Sequence, residues 1–176
     1  MKKLIILLVM INSAFFVHGQ SKLQIGMKAP DWKFKDATGT EFTMSSWPGK
    51  VLQVNYVDPD KSDLNDKYND AVNKASNVDK RINKEAFKGF GIVDCKSTWK
   101  PNGLIRKIAG NKAKKYGTTI LFDYDAFLQK NWGLPSDSYS VIILDKNRNC
   151  RAIYPGLIPD SEIEKIIKLI IDLTKE

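Results

Sequence analysis

Histidine is nearly missing from these 176 residues: the single one is His18. It falls in a segment that reads as a secretory signal peptide, residues 1–19. Lys2 and Lys3 supply a positive start, and Leu4 to Val17 follow without a charge. That run is shorter than the roughly 20 residues a bilayer crossing needs, which favours a cleaved leader over an uncleaved anchor. Val17 and Gly19 take the minus-three and minus-one places for a cut before Gln20. No Cys lies near that cut, so lipid attachment there is not expected. Cleavage would leave about 157 residues, 20–176, the size of one domain. It would also leave no histidine. That excludes a His-activated Ser or Cys, a His general base and every His-ligated metal.

Cysteine is scarce too: Cys95 and Cys150 are the two in the chain. An even count in an exported protein raises the question of a disulfide. No later apolar run is long enough to span a membrane, and there is no internal repeat or low-complexity stretch. No Ser-based triad, Gly-rich phosphate loop or zinc spacing is present, so neither a metal nor a cofactor is expected. Net charge is +8 for the whole chain, and +6 once Lys2 and Lys3 are gone.

Along the remainder, apolar runs alternate with helical patterns. Ile25 to Phe34 is a lead-in broken at Pro30, Asp36-Ala-Thr-Gly39 is a turn, and Glu41 to Met44 fits a short strand. Lys50 to Val57 reads as the central buried strand. Asp60 is placed to cap a helix running to about Ala75, with Asp63 in its first turn. Asn77 to Lys88 is polar and without a clear period. Phe90 to Asp94 reads as a strand, Leu104 to Lys115 as a helix, and Thr118 to Phe122 as a strand. Asp125 is placed to cap a short helix, Ala126 to Asn131. Ser140 to Leu144, the turn Asp145 to Asn149, and Cys150 to Tyr154 form a hairpin. A capping box of Ser161 and Glu164 starts the last helix, with Ile163, Ile166, Ile167 and Ile170 on one face. This order predicts an α/β fold, a mixed sheet with helices on both faces.

The order is similar to the thioredoxin fold, with three layers. Gly26-Met-Lys-Ala-Pro-Asp31-Trp-Lys-Phe34, Asp36, Gly39 and Gly49-Lys-Val51 look like the head of exported thioredoxin-like and peroxiredoxin-like proteins. Gly91-Ile-Val-Asp94, Trp132-Gly-Leu, Ser140-Val-Ile-Ile-Leu-Asp-Lys146 and Gly156 resemble the YtfJ-like family of periplasmic redoxin-like proteins. The resemblance implies a periplasmic or secreted protein. It also implies a Cys-x-x-Cys pair after the central strand, but those places fall at about Lys61 and Leu64. The place of the family's cis-proline falls at about Tyr139. The usual dithiol mechanism is therefore unavailable.

Three readings of function remain. In the first, the protein is a non-catalytic or weakly redox-active accessory protein. Its binding edge is formed by Asp58, Asp60, Lys61, Asp63, Lys96 and Tyr139, and its partner is another protein. In the second, Cys95 is the catalytic thiol of a single-cysteine peroxidase or reductase acting on a small thiol or peroxide. Cys95 ends a strand beside the central one, where open α/β sheets bind ligands, and Lys96 could lower its pKa. The third uses the acid-free span between Asp94 and Asp123. There Lys100, Arg106, Lys107, Lys112, Lys114 and Lys115 would face an anionic lipid, glycan or protein. Nucleic acid is not an expected partner for an exported protein. Asp58, Asp60 and Asp63 could hold Ca²⁺ or Mg²⁺, but a turn and helix cap accounts for them without a metal. The strand order puts Cys150 at the opposite sheet edge from Cys95, about a strand length of 17–20 Å away. A bridge needs Cα atoms within about 7 Å, so none is predicted.

Overall fold

The computed structural model describes residues 22–176; the leader assigned to residues 1–19 lies outside them. Among the described residues seven strands form one mixed sheet. They are β1 (Lys33–Asp36), β2 (Glu41–Thr43), β3 (Val51–Val57), β4 (Phe87–Asp94), β5 (Thr119–Asp123), β6 (Tyr139–Leu144) and β7 (Cys150–Pro155), in the order β2-β1-β5-β4-β3-β6-β7. β3, β4 and β5 are parallel, and β6 runs antiparallel to β3. Helices α1 (Asp66–Asn77), α2 (Asn102–Tyr116), α3 (Phe127–Trp132) and α4 (Asp160–Lys175) flank it. Among the described residues no helix is long and apolar enough to cross a membrane.

The sheet divides the core in two because side chains alternate along each strand. One face carries Leu52, Val54 and Tyr56 of β3 with Phe90 and Ile92 of β4. It packs under Trp32, Phe34, Leu128 and Trp132, from the N-terminal segment and α3. The other carries Val51, Val141, Ile143 and Ala152 and is covered by Tyr68 and Val72 of α1 and by the isoleucines of α4. α2 covers Val93 and Phe122 at one end of that same face, through Ile105 and Ala109. The expected three-layer thioredoxin-like α/β arrangement is the observed one.

Several local expectations fail, each for a visible reason. The lead-in hides a strand, β1, which pairs with both β2 and β5. β4 starts at Phe87, three residues earlier than the apolar run suggests, because its partner Val51 already lies at the start of β3. Ser161 and Glu164 form no capping box. Pro159 stands at the N-cap, which puts Ser161 inside the first turn, and Glu164 pairs with Arg81. Asp125 does not cap α3. Asp123 does, accepting from Phe127 N at 2.9 Å and Leu128 N at 3.0 Å. Nor does Asp60 start α1. Asp58 accepts from Asp60 N at 2.7 Å and begins a 3-10 turn, Pro59–Lys61, while α1 waits until Asp66. Asn65, at the N-cap of α1, is drawn away. Its side chain donates to Gly156 O and accepts from Ile158 N, both at 2.9 Å.

Candidate functional site

The three parallel strands each end in a buried aspartate: Val57 is followed by Asp58, Val93 by Asp94 and Phe122 by Asp123. Each of the three is 1% exposed. Asp94 and Asp123 stand opposite each other in the β4–β5 register, and Asp58 follows the Val57–Val93 pair. A row of carboxylates thus crosses the sheet edge where the fold places ligands. In the sequence Asp94 ends a strand and Asp123 bounds the acid-free span, and neither reads as a site residue. The signal that marks them is the repeat of an apolar run closed by Asp.

Each carboxylate holds a loop. Asp94 accepts from Lys96 N at 3.1 Å, Ser97 N at 3.3 Å and Ser97 Oγ at 2.5 Å, and also from the Gln129 amide. Asp123 adds Tyr56 Oη at 3.4 Å to its helix cap. Burial, Asp123 and Asp94 together raise the Tyr56 pKa, so this phenol stays a donor. Asp58 is less satisfied. Among the described residues its Oδ2 has no partner, and neither does Ser140 Oγ, which lies beside Tyr56 in the β3–β6 register.

Burial first, then Asp137 and Asp94, raise the Asp58 pKa above 3.8, against weaker pulls from Lys100 and Lys61. The folded chain therefore holds this proton more tightly than the unfolded chain does. Stability from Asp58 is complete at low pH and is lost as pH rises through the folded pKa. Asp58→Asn should raise stability at pH 7 by about 1 kcal/mol, or about 2–4 °C in Tm. The gain should vanish below about pH 4. Paired thermal melts at pH 7 and pH 3.5 check this; an equal shift at both pH values would contradict it.

Cys95 lies at the same edge, half-buried, its N donating to Asp123 O at 3.0 Å and its Sγ facing Val93 O at 3.6 Å. Burial, then Asp123 and Asp94, push its pKa up to about 12. The sequence suggested that Lys96 would activate this thiol. Lys96 is exposed, and the one cation acting on Cys95, Arg106, is outweighed by burial and the two carboxylates. Cys150 is fully buried at the far end of the sheet, paired with Leu144, and both thiols are free.

The other residues singled out in the sequence divide. Asp60 joins the 3-10 turn to the loop after β4, pairing with Lys100 and accepting from Thr98 Oγ1 at 2.7 Å. Lys61 is exposed in that turn, and Leu64 follows at its surface. Lys112 lies 2.7 Å from Asp63, and hydrogen bonding to it holds the Asp63 carboxyl below its ordinary range. Lys112 also meets Asp66 at 2.6 Å, and Lys115 meets Asp70 at 3.3 Å. The span without acids in sequence therefore lies against acids of α1 and the turn before it. Arg106 donates to Tyr124 Oη at 3.2 Å, while Lys107 and Lys114 are exposed. Tyr139 is not part of the aspartate row. It packs on the opposite face of the sheet, its hydroxyl accepting from Asn69 Nδ2 at 2.9 Å. Among the described residues no group of three His, Cys, Asp or Glu side chains is arranged to hold a metal ion.

The fold is thioredoxin-like, and among the described residues the edge carries one cysteine, Cys95. Solved structures agree on the fold. One assigned as the thiol:disulfide interchange protein DsbE of Chlorobium tepidum is similar at a TM-score of 0.65 and 16% identity, over 87% of this chain and 99% of that one. The thioredoxin domain of a thiol-disulfide oxidoreductase from Bacteroides vulgatus is similar at 0.62 and 15%, over 85% and 99%. The pneumococcal exposed lipoprotein thioredoxin Etrx1 of Streptococcus pneumoniae TIGR4 is similar at 0.59 and 16%, over 80% and 99%.

Residues 31–173 match the family described as "Bacterial protein of unknown function (YtfJ_HI0045)", and the chain belongs to that family. An uncharacterized protein of Haemophilus influenzae (strain ATCC 51907 / DSM 11121 / KW20 / Rd) is 25% identical over 96 residues. That match covers 53% of this chain and 52% of the relative, so the chain spans about half the length of the curated relative it matches.

Proposed function

We propose that this chain is an exported, periplasmic thioredoxin-fold protein that works by binding and not by thiol chemistry. The observation that carries the reading is the state of the edge thiol. Cys95 has no second cysteine beside it, and burial with two carboxylates keeps it protonated. Lys61 and Leu64, at the dithiol places, offer no nucleophile for disulfide exchange. What remains at the edge is a polar surface: Asp60 and Lys100 bridging two loops, with exposed Lys61 and Lys96 beside them. Such a surface suits recognition of another protein, charge by charge.

Reduction of insulin disulfides in the presence of dithiothreitol tests the reading. Wild type and Cys95→Ser should both match the rate without protein. A rate above background that Cys95→Ser abolishes would establish the single-cysteine enzyme instead. Export is tested separately. Protein recovered from a periplasmic fraction should begin at Gln20; full-length protein confined to the cytoplasm would refute the leader.

A further inference from the structure

The sheet face turned away from the aspartate row is incompletely covered. α1 packs on α4 and α2 lies over β5, and between α1 and α2 is a cavity of about 530 Å³. That volume is in the range of small-molecule sites. The cavity follows β3 and β4, from Lys50 and Phe87 at one end to Pro59 and Lys112 at the other. The paired rows along it, from Val51–Phe87 to Val57–Val93, span about 20 Å at strand spacing.

Its floor is unusually bare. Gly89 and Gly91 lie in the middle of β4. A Cβ on Gly91 would meet Ile120 Cγ1 at 3.5 Å and Asn55 O at 3.9 Å, and neither helix comes as near. Glycine inside a strand marks a place where another group approaches the backbone. The two walls differ. On the α2 and β5 side stand Ile105, Ile108 and Ile120. On the β3 and α1 side stand Gln53, Asn55, Asn69 and Asn73. Gln53 accepts from Tyr68 Oη at 2.9 Å and donates to Asn55 Oδ1 at 3.2 Å. The amide nitrogens of Asn55 and Asn73 have no acceptor among the described residues and remain as donors.

Charge favours an anion. Lys50, Lys84, Lys112 and Lys115 line the cavity against one acid, Asp66. Lys112 and Lys115 are already paired with acids, which ties α1 to α2 over one end. At the other end Lys50 and Lys84 have no acidic partner among the described residues; Lys50 Nζ donates to Lys84 O at 3.0 Å, while Lys88 turns to the opposite face, its Nζ over the Trp47 ring. The uncompensated positive charge therefore sits at the Lys50–Lys84 end.

We infer that this channel binds an elongated amphipathic organic anion. Its hydrocarbon flank lies on the isoleucine wall, and its charged head lies at Lys50 and Lys84. This site is separate from the aspartate edge and stands or falls independently of the redox reading.

Titration calorimetry with dodecanoate, dodecanol and dodecyltrimethylammonium, each below its micelle concentration, tests it. Dodecanoate should bind one per chain, at least tenfold tighter than the alcohol, and the cation should not bind. Gly91→Leu, which fills the floor, should weaken dodecanoate at least tenfold. The surface pair Lys50→Gln and Lys84→Gln should do the same without disturbing the fold, verified by an unchanged melting curve. Equal binding of the anion and the cation, absence of dodecanoate binding, or full affinity in the folded double lysine variant would each overturn the assignment.

Discussion

Arg148→Ala should lower the melting temperature by about 8–15 °C, the largest loss expected from a single polar substitution in this chain. Arg148 is 8% exposed, and among the described residues its guanidinium binds no carboxylate. It instead ties backbone carbonyls together, donating to Met44 O at 3.1 Å, Trp47 O at 2.5 Å and Lys50 O at 2.7 Å. Asp145 O lies at 3.4 Å. The residue thus joins the β2–β3 loop to the β6–β7 turn. Truncation leaves several buried carbonyls unpaired, at a cost of about 3–5 kcal/mol in all. The charge alone is not what matters. Arg148→Lys keeps it but loses the planar fork, and should recover less than half of the loss. Thermal melts of the two variants decide; a shift below about 3 °C for Arg148→Ala would mean that the carbonyls find other donors.

Alkylation of Cys95 in the folded protein at pH 7 should run at least 50-fold slower than in the unfolded chain. A rise from the ordinary 9.0 to about 12 lowers the thiolate fraction about 10³-fold. A more basic thiolate is intrinsically more nucleophilic, which returns about 20-fold. The remaining deficit is about 50-fold, and burial adds to it. Iodoacetamide labelling of Cys150→Ser, with and without urea, isolates Cys95 and checks the ratio. Cys150 needs this removal because its own pKa is pushed up to about 11 by burial. Comparable rates in the two states would show that the carboxylates do not hold the proton.

The fold was largely readable because its signals are local and strong. Long apolar runs at Val51–Val57 and Tyr139–Leu144 are buried on both faces, and the isoleucine stripe of α4 has one place to dock. What escaped was decided by tertiary contacts. Whether Asp58 or Asp60 caps depends on where the chain leaves β3, and Asn65 is diverted by a loop 91 residues away in sequence. The candidate site was read less well for the same reason. Lys96 adjoins Cys95 in sequence yet points to solvent, while Asp123, 28 positions on, lies opposite Asp94 in the sheet. The basic span seemed free of acids because its acids are on α1. The cavity had no sequence signature beyond Gly89 and Gly91 in a strand and amides on β3, which become legible once α1 and α2 are seen to stand apart.

The proposal that this thioredoxin-fold family member works without thiol chemistry turns on the reactivity of Cys95. Peroxide treatment of the reduced, folded protein followed by sulfenic-acid trapping and intact mass measurement tests it most directly. Cys95 should be unmodified after stoichiometric hydrogen peroxide at pH 7. Rapid, near-complete trapping of a sulfenic acid on Cys95 would contradict it.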